Sequence, residues 1–271
     1  MNAPDKLPVA GIADVQGFAD SRNIAIDDVG IRGLRYPLQV AGRDGKVQAT
    51  VAEMQLTVAL PAEVKGTHMS RLVALIEEWS EPMSAASLAR LGQGLIKRLE
   101  AERGSIDMSF PYFIRKTAPV SGVESLLDYT AAARVTADVN GQSEVVLKMT
   151  TPVTSLCPCS REISDYGAHN QRSHVTIEAS IDPTRADLTL EDLAAIAEGA
   201  ASCEIWGLLK RPDEKYVTER AYDNAKFVED LVRDVAIAMN AHPAVTSYVV
   251  EAENFESIHN HSAYARIARR K

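Results

Sequence analysis

Cysteine is scarce in this chain, with three in 271 residues. That excludes a disulfide framework and points to thiols kept reduced, which serve metals or catalysis more often than structure. No apolar run reaches the roughly 18 to 20 residues that cross a bilayer as a helix, so no membrane partner is expected. Basic residues are not in excess either. Lys and Arg number 29 against 37 Asp and Glu, a net charge of −8. A nucleic-acid-binding surface is not expected from that balance, but a single basic pocket for an anionic small molecule is compatible with it. The opening residues, Met1-Asn2-Ala3-Pro4-Asp5-Lys6, lack a charged segment followed by an apolar one, and a cytoplasmic location is the expectation. There is no Walker sequence and no dinucleotide fingerprint.

What is there has ordinary globular proportions, 46% apolar and 24% charged residues. Residues 1–28 are polar and punctuated by Pro4, Pro8, Gly11 and Gly17; they read as an arm, loose or docked on a neighbouring subunit. Residues 29–140 read as strand, strand, helix, helix, strand, strand. Ile31 to Val40 and Val47 to Leu60 are joined by an Asp44-Gly45 turn. Ser84 caps the second helix, and strands over Ile106 to Arg115 and Leu126 to Val139 follow. After the Asn140-Gly141 turn the order recurs over 141–271. Strands over Glu144 to Val153 and His174 to Ile181 precede a helix from Leu190 to Cys203, capped by Thr189 or Asp187. An irregular polar insert spans Trp206 to Arg220. A helix follows from Ala221 or Asn224 to Asn240, then strands over Ala244 to Glu251 and Ala263 to Ala268. Doubling of this pattern predicts an α+β fold, antiparallel sheets backed by paired helices.

Chemistry concentrates in the connection from Ser155 to Ser173. Cys157-Pro158-Cys159 supplies two thiols, and His169 follows twelve residues after the first. Thiol and imidazole suit a soft or borderline metal, but neither spacing nor count is that of a structural zinc finger. An open catalytic site takes about three protein ligands, which leaves Glu214, His259 and His261 as candidates for the remainder. His259 is equally suited to acid–base work near neutral pH. Lys65-Gly66-Thr67-His68-Met69-Ser70-Arg71 lies between a strand and a helix, where cations, hydroxyls and helix amides suit a phosphate or carboxylate. Glu229 near the start of a helix is explained by the helix dipole alone, or by a pocket in which it accepts N–H bonds from a base.

Four stretches in order resemble the type IB GTP cyclohydrolases: Lys65 to Arg71, Ser155-Leu156-Cys157-Pro158-Cys159-Ser160, Tyr166-Gly167-Ala168-His169-Asn170-Gln171-Arg172, and Leu208-Leu209-Lys210-Arg211-Pro212-Asp213-Glu214-Lys215. The resemblance covers nearly the whole chain beyond the arm. It implies the tunnelling fold, two ββααββ units in tandem, assembling through their sheets into barrels as a homotetramer with sites at subunit interfaces. It implies hydrolysis of GTP to 7,8-dihydroneopterin triphosphate and formate, the first step towards tetrahydrofolate, with a divalent metal activating the water that attacks C8 of guanine. By the same resemblance Cys157 is a metal ligand and catalytic residue, with His169 and Glu214 in or beside that site. His259 sits near the metal and the purine, Glu229 anchors guanine, and Lys65, His68, Arg71 and Arg172 contact the triphosphate. The Cys-x-x-His of the type IA enzymes is absent, so zinc, manganese and iron all stand as candidates. Two other readings compete: a tunnelling-fold nitrile reductase acting on a 7-deazaguanine, with Cys157 or Cys159 as nucleophile, and a purine- or metal-binding regulator that releases no formate.

Overall fold

The protein's structure, a computed structural model, describes residues 15–182, 184–185 and 187–271. Residues 1–14 of the expected arm, and Pro183 of the expected Asp182-Pro183 break, lie outside the described residues. Among the described residues nine strands make one antiparallel sheet. They are β1 (Ile26–Ala41), β2 (Val47–Leu60), β3 (Arg103–Thr117), β4 (Glu124–Asp138), β5 (Ser143–Leu156), β6 (Asn170–Ile181), β7 (Cys203–Glu204), β8 (Val245–Asn254) and β9 (Ala263–Arg270). Helices α1 (Met69–Glu78), α2 (Ala85–Leu99), α3 (Pro158–Ile163), α4 (Leu190–Ala200), α5 (Arg211–Asp223) and α6 (Val228–Ala241) complete the chain. The order across the sheet is β1-β2-β3-β4-β5-β6-β8-β9, with the two-residue β7 alongside β5.

Alternation places Ala52, Met54, Leu56 and Val58 of β2 on the buried face. Against that face α2 packs on β4 and β5, α4 on β5, and α6 on β8. Leu88 and Leu95 of α2 and Leu193 of α4 are fully buried, each worth about 1.5–3 kcal/mol of apolar transfer. Both helix starts are fixed by reciprocal caps. The Ser84 hydroxyl accepts from Ser87 N, and the Thr189 hydroxyl accepts from Asp192 N. The other sheet face is polar and charge-paired, with Arg134 on Asp107 and Lys148 Nζ 3.5 Å from Glu178. The turn before β5 puts Gly141 at φ +83°, a conformation that favours glycine.

The structure corrects three local expectations. The span from Trp206 to Arg220 is not irregular, because α5 occupies Arg211–Asp223. Its sequence is charged on most sides and carries little apolar periodicity. What starts it is Pro212 in the first turn and Asp213, which accepts from the Lys210 N–H. α6 therefore begins later than expected, at Val228. Within the cysteine connection a short helix, α3, follows Cys157 directly. The described part of the N-terminal segment is not loose. Lys65 N donates to Phe18 O (3.1 Å), Gly66 N to Gln16 O (3.2 Å) and Asp20 N to Glu63 O (2.9 Å), so residues 16–20 lie along 63–66 of their own chain, and β1 is under way by Ile26.

Candidate functional site

Strand register sorts the candidates to two ends of the sheet. At one end lie the turns after β1, β3, β5 and β8, and so Cys157, His169 and His259. At the other lie the β2 terminus and the start of α1, and so Lys65, His68 and Arg71. β2 has 14 residues, which spans roughly 45 Å when extended. No nucleoside triphosphate bridges that distance, so Lys65, His68 and Arg71 do not share a ligand with Cys157 of the same chain.

At the first end the backbone around Cys157 is held on three sides. Leu156 N donates to the Ser202 hydroxyl (3.2 Å). Leu156 O accepts from Lys226 N (3.2 Å), and Cys157 N donates to His169 O (3.2 Å). The Ser160 hydroxyl donates to Cys157 O (3.1 Å) and accepts from His169 N (3.2 Å), which closes the connection on itself. Below it, buried Asn254 joins two strands' serines. Its Oδ1 accepts from Ser173 (2.6 Å), and its Nδ2 donates to Ser155 (3.1 Å). The ends of β5, β6 and β8 are thereby locked in register beneath the thiol.

The His169 ring is mostly covered, and its Nδ1 lies 3.0 Å from Gln171 Oε1, 3.5 Å from the Ser257 hydroxyl and 3.9 Å from Glu256 Oε2. Sequence reasoning passed over Gln171 and Glu256. The signal for Gln171 was present: residues 171, 173 and 175 alternate onto the covered face of β6. By the same alternation Arg172 is exposed on the other face beside His174, whose imidazole is pushed down by burial and then by the Arg172 charge. His259 is exposed and stacked on His261 with ring centroids 5.1 Å apart.

Helix α5 is tied down along its length. Asp213 is inaccessible to solvent, and its carboxylate accepts from Val120 N (2.9 Å), Ser121 N (2.8 Å), the Ser121 hydroxyl (2.6 Å) and Lys210 N (2.8 Å). Arg220 donates to Glu204 (3.2 Å), and Arg161 of α3 donates to Tyr222 O (2.7 Å) while lying over its ring. Gly207 permits the chain ahead of α5 to cross the start of β4; a Cβ there would fall 2.5 Å from Leu126 O. Glu214 is exposed in the first turn, nine residues and about 13 Å of helix before the end that meets α3. The third cysteine, Cys203, is buried, and its thiol is pushed up to about 11 by desolvation and then by Glu204, which makes it inert at neutral pH.

Burial alone would raise Asp213, but donors from Ser121, Lys210 and Val120 outweigh it and hold the carboxyl well below its usual range. A depressed folded pKa contributes stability that is complete above the unfolded value and is lost as pH falls. Asp213→Asn is therefore expected to lower Tm at pH 7, with the gap to wild type narrowing below about pH 4, where the unfolded carboxyl takes up its proton. Calorimetry across pH 2–7 checks this.

Glu229 occupies the first turn of α6, and Lys226, three residues earlier, bonds Leu156. The cap of that helix is made by Asp230, which accepts from Phe227 N (3.2 Å). Glu229 is thus exposed beside the Cys157 connection and is not the capping residue. Among the described residues no three His, Cys, Asp or Glu side chains stand close enough to hold a metal ion. The backbones of Cys157 and His169 are hydrogen-bonded, which sets a thiol-bearing and an imidazole-bearing residue, both of the kind a borderline metal takes, on one short connection. Among the described residues neither Glu214 nor His259 completes a three-residue metal-holding group with them.

A family model described as Type I GTP cyclohydrolase folE2 matches residues 12–265. GTP cyclohydrolase FolE2 of Bordetella petrii is 59% identical over 268 residues, and GTP cyclohydrolase FolE2 1 of Dechloromonas aromatica is 55% identical over 267; each alignment spans 98% of both chains. Among solved structures, uricase from Arthrobacter globiformis superposes with a TM-score of 0.55 at 8% identity, over 90% of this chain and 93% of that one. That likeness gives the architecture alone: the two share the tunnelling fold. The nearly full-length sequence match goes further, and on it this chain belongs to the FolE2 family of type I GTP cyclohydrolases.

Proposed function

We propose that the chain hydrolyses GTP to 7,8-dihydroneopterin triphosphate and formate at a site completed between two copies of itself. The observation that carries the reaction is the family match over residues 12–265. It is supported by the backbone hydrogen bond that ties Cys157 to His169, a thiol-bearing and an imidazole-bearing residue on one connection. In this reading the Cys157 thiolate and His169 hold a divalent ion, zinc, manganese or iron, with Glu214 supplied by a neighbouring chain. When bound, the ion supplies Lewis acidity and lowers the pKa of the attacking water. Glu229 accepts hydrogen bonds from the purine N–H groups beside the Cys157 connection. His259, on a loop at the same end, moves protons during ring opening. Arg172 and a neighbour's Lys65, His68 and Arg71 neutralise the triphosphate.

Shared sites require assembly, and the sheet offers the means. Among the described residues β1, 16 residues long and bridged to Met83 only near its end, and β9, 8 residues long, are its two outer strands, and exposed strand edges favour pairing with another chain. Closure of such edges into a barrel, and a homotetramer, follow from this reading, as does work in the cytoplasm on a soluble substrate. Metal-reconstituted protein incubated with GTP is expected to release formate and an oxidisable pterin in equal amounts. Consumption of GTP without formate, or none at all under zinc, manganese and iron, would overturn it.

A further inference from the structure

We infer that Gln171 is a positioning residue that sets the tautomer of His169, so that Nδ1 carries the proton and Nε2 the free lone pair. The inference rests on His169 being a metal ligand, as proposed above, and adds how the ring is made ready.

Three groups face Nδ1: Gln171 Oε1 at 3.0 Å, the Ser257 hydroxyl at 3.5 Å and Glu256 Oε2 at 3.9 Å. The first and third accept only, and the hydroxyl serves in either role. The carboxylate, with 14% of its side chain accessible against 15% for His169, adds negative potential on the same side, which favours a proton at Nδ1. Nε2 forms no hydrogen bond among the described residues. An imidazole whose one nitrogen donates to a carbonyl or carboxylate presents the other to a cation in a fixed direction and with raised basicity.

Gln171 is itself well anchored. It pairs with Ser155 across β5 and β6, next to the Ser173–Asn254–Ser155 network. Its amide oxygen therefore meets His169 from a rigid strand, whereas Glu256 and Ser257 come from the loop after β8. That difference assigns the principal role to Gln171, and Glu256 supports it through charge.

The test uses the full chain labelled with [15N]histidine, free of metal, at pH 8. Long-range 1H–15N couplings of wild type are expected to show His169 protonated at Nδ1. In Gln171→Leu the pattern is expected to shift towards a tautomer mixture, and zinc affinity, by competition with a chromophoric chelator, to fall about 10–100-fold. Gln171→Glu keeps the acceptor and is expected to bind zinc within a few-fold of wild type, which a purely structural role of the amide would not explain. Wild-type His169 protonated at Nε2, or unchanged zinc affinity in Gln171→Leu, would overturn the inference. If Gln171→Leu does not fold, the wild-type couplings and Gln171→Glu still decide it. Formate release by wild type is measured separately, so a failure of the proposed reaction is not confused with a failure of this inference.

Discussion

Cys157→Ala protein is expected to release formate from GTP more than about 100-fold more slowly than wild type, since losing even an outer partner of a ligand costs about 10–100-fold. It is also expected to keep its fold. The residue's backbone, not its thiol, makes the hydrogen bonds that hold the connection in place: Cys157 N to His169 O, and Ser160 to Cys157 O. Thermal melting and retained assembly would separate lost chemistry from lost structure. Cys159→Ala is the internal control. That thiol is exposed two residues on, and removing it is expected to leave formate release within two-fold of wild type. A Cys157→Ala enzyme with wild-type turnover would sink the assignment of the thiol. A dead Cys159→Ala enzyme would move the chemistry to the second cysteine, as in the nitrile-reductase reading.

How much of this was legible beforehand depends on which interactions leave a local trace. β2 was readable because Met54, Leu56 and Val58 alternate with polar residues. α2 and α4 were readable because Ser84 and Thr189 announce their starts. α5 was not, for a physical reason. Its stability comes from ties made at long range, Asp213 to Val120 and Ser121 at its start and Tyr222 O to Arg161 near its end, not from an apolar stripe. The site divides in the same way. Cys157 and His169 lie on one connection, so their meeting was a short-range inference. The distance of Glu214 from them along α5 depends on those long-range ties. The separation of Lys65 from Cys157 depends on the register of five strands, from β2 to β6, which no local pattern encodes. Family resemblance supplied the residues that belong to the chemistry, but not the chain from which each comes.

That last gap yields an expected result with a large effect. If Arg71 of one copy serves the site of Cys157 in another, Cys157→Ala and Arg71→Ala proteins are each impaired but in different halves of a shared site. Mixed in equal amounts, dissociated under mild denaturant and reassembled, they are expected to recover activity. Each site draws one half from either parent at random, so intact pairs form in about one half times one half, or about a quarter, of the sites. The parents treated alone recover nothing. The arithmetic distinguishes the alternatives. A site built within one chain gives no recovery at any mixing ratio, because every chain then carries a defect in its own site. Recovery should follow the product of the two mole fractions and peak at equal amounts. Cys157→Ala mixed with Gln171→Leu, whose changes lie in the same half, should gain nothing beyond the residual activity of Gln171→Leu itself. Strand register is what divides the site, setting Lys65, His68 and Arg71 at one end of β2 and Cys157 at the opposite end of the sheet.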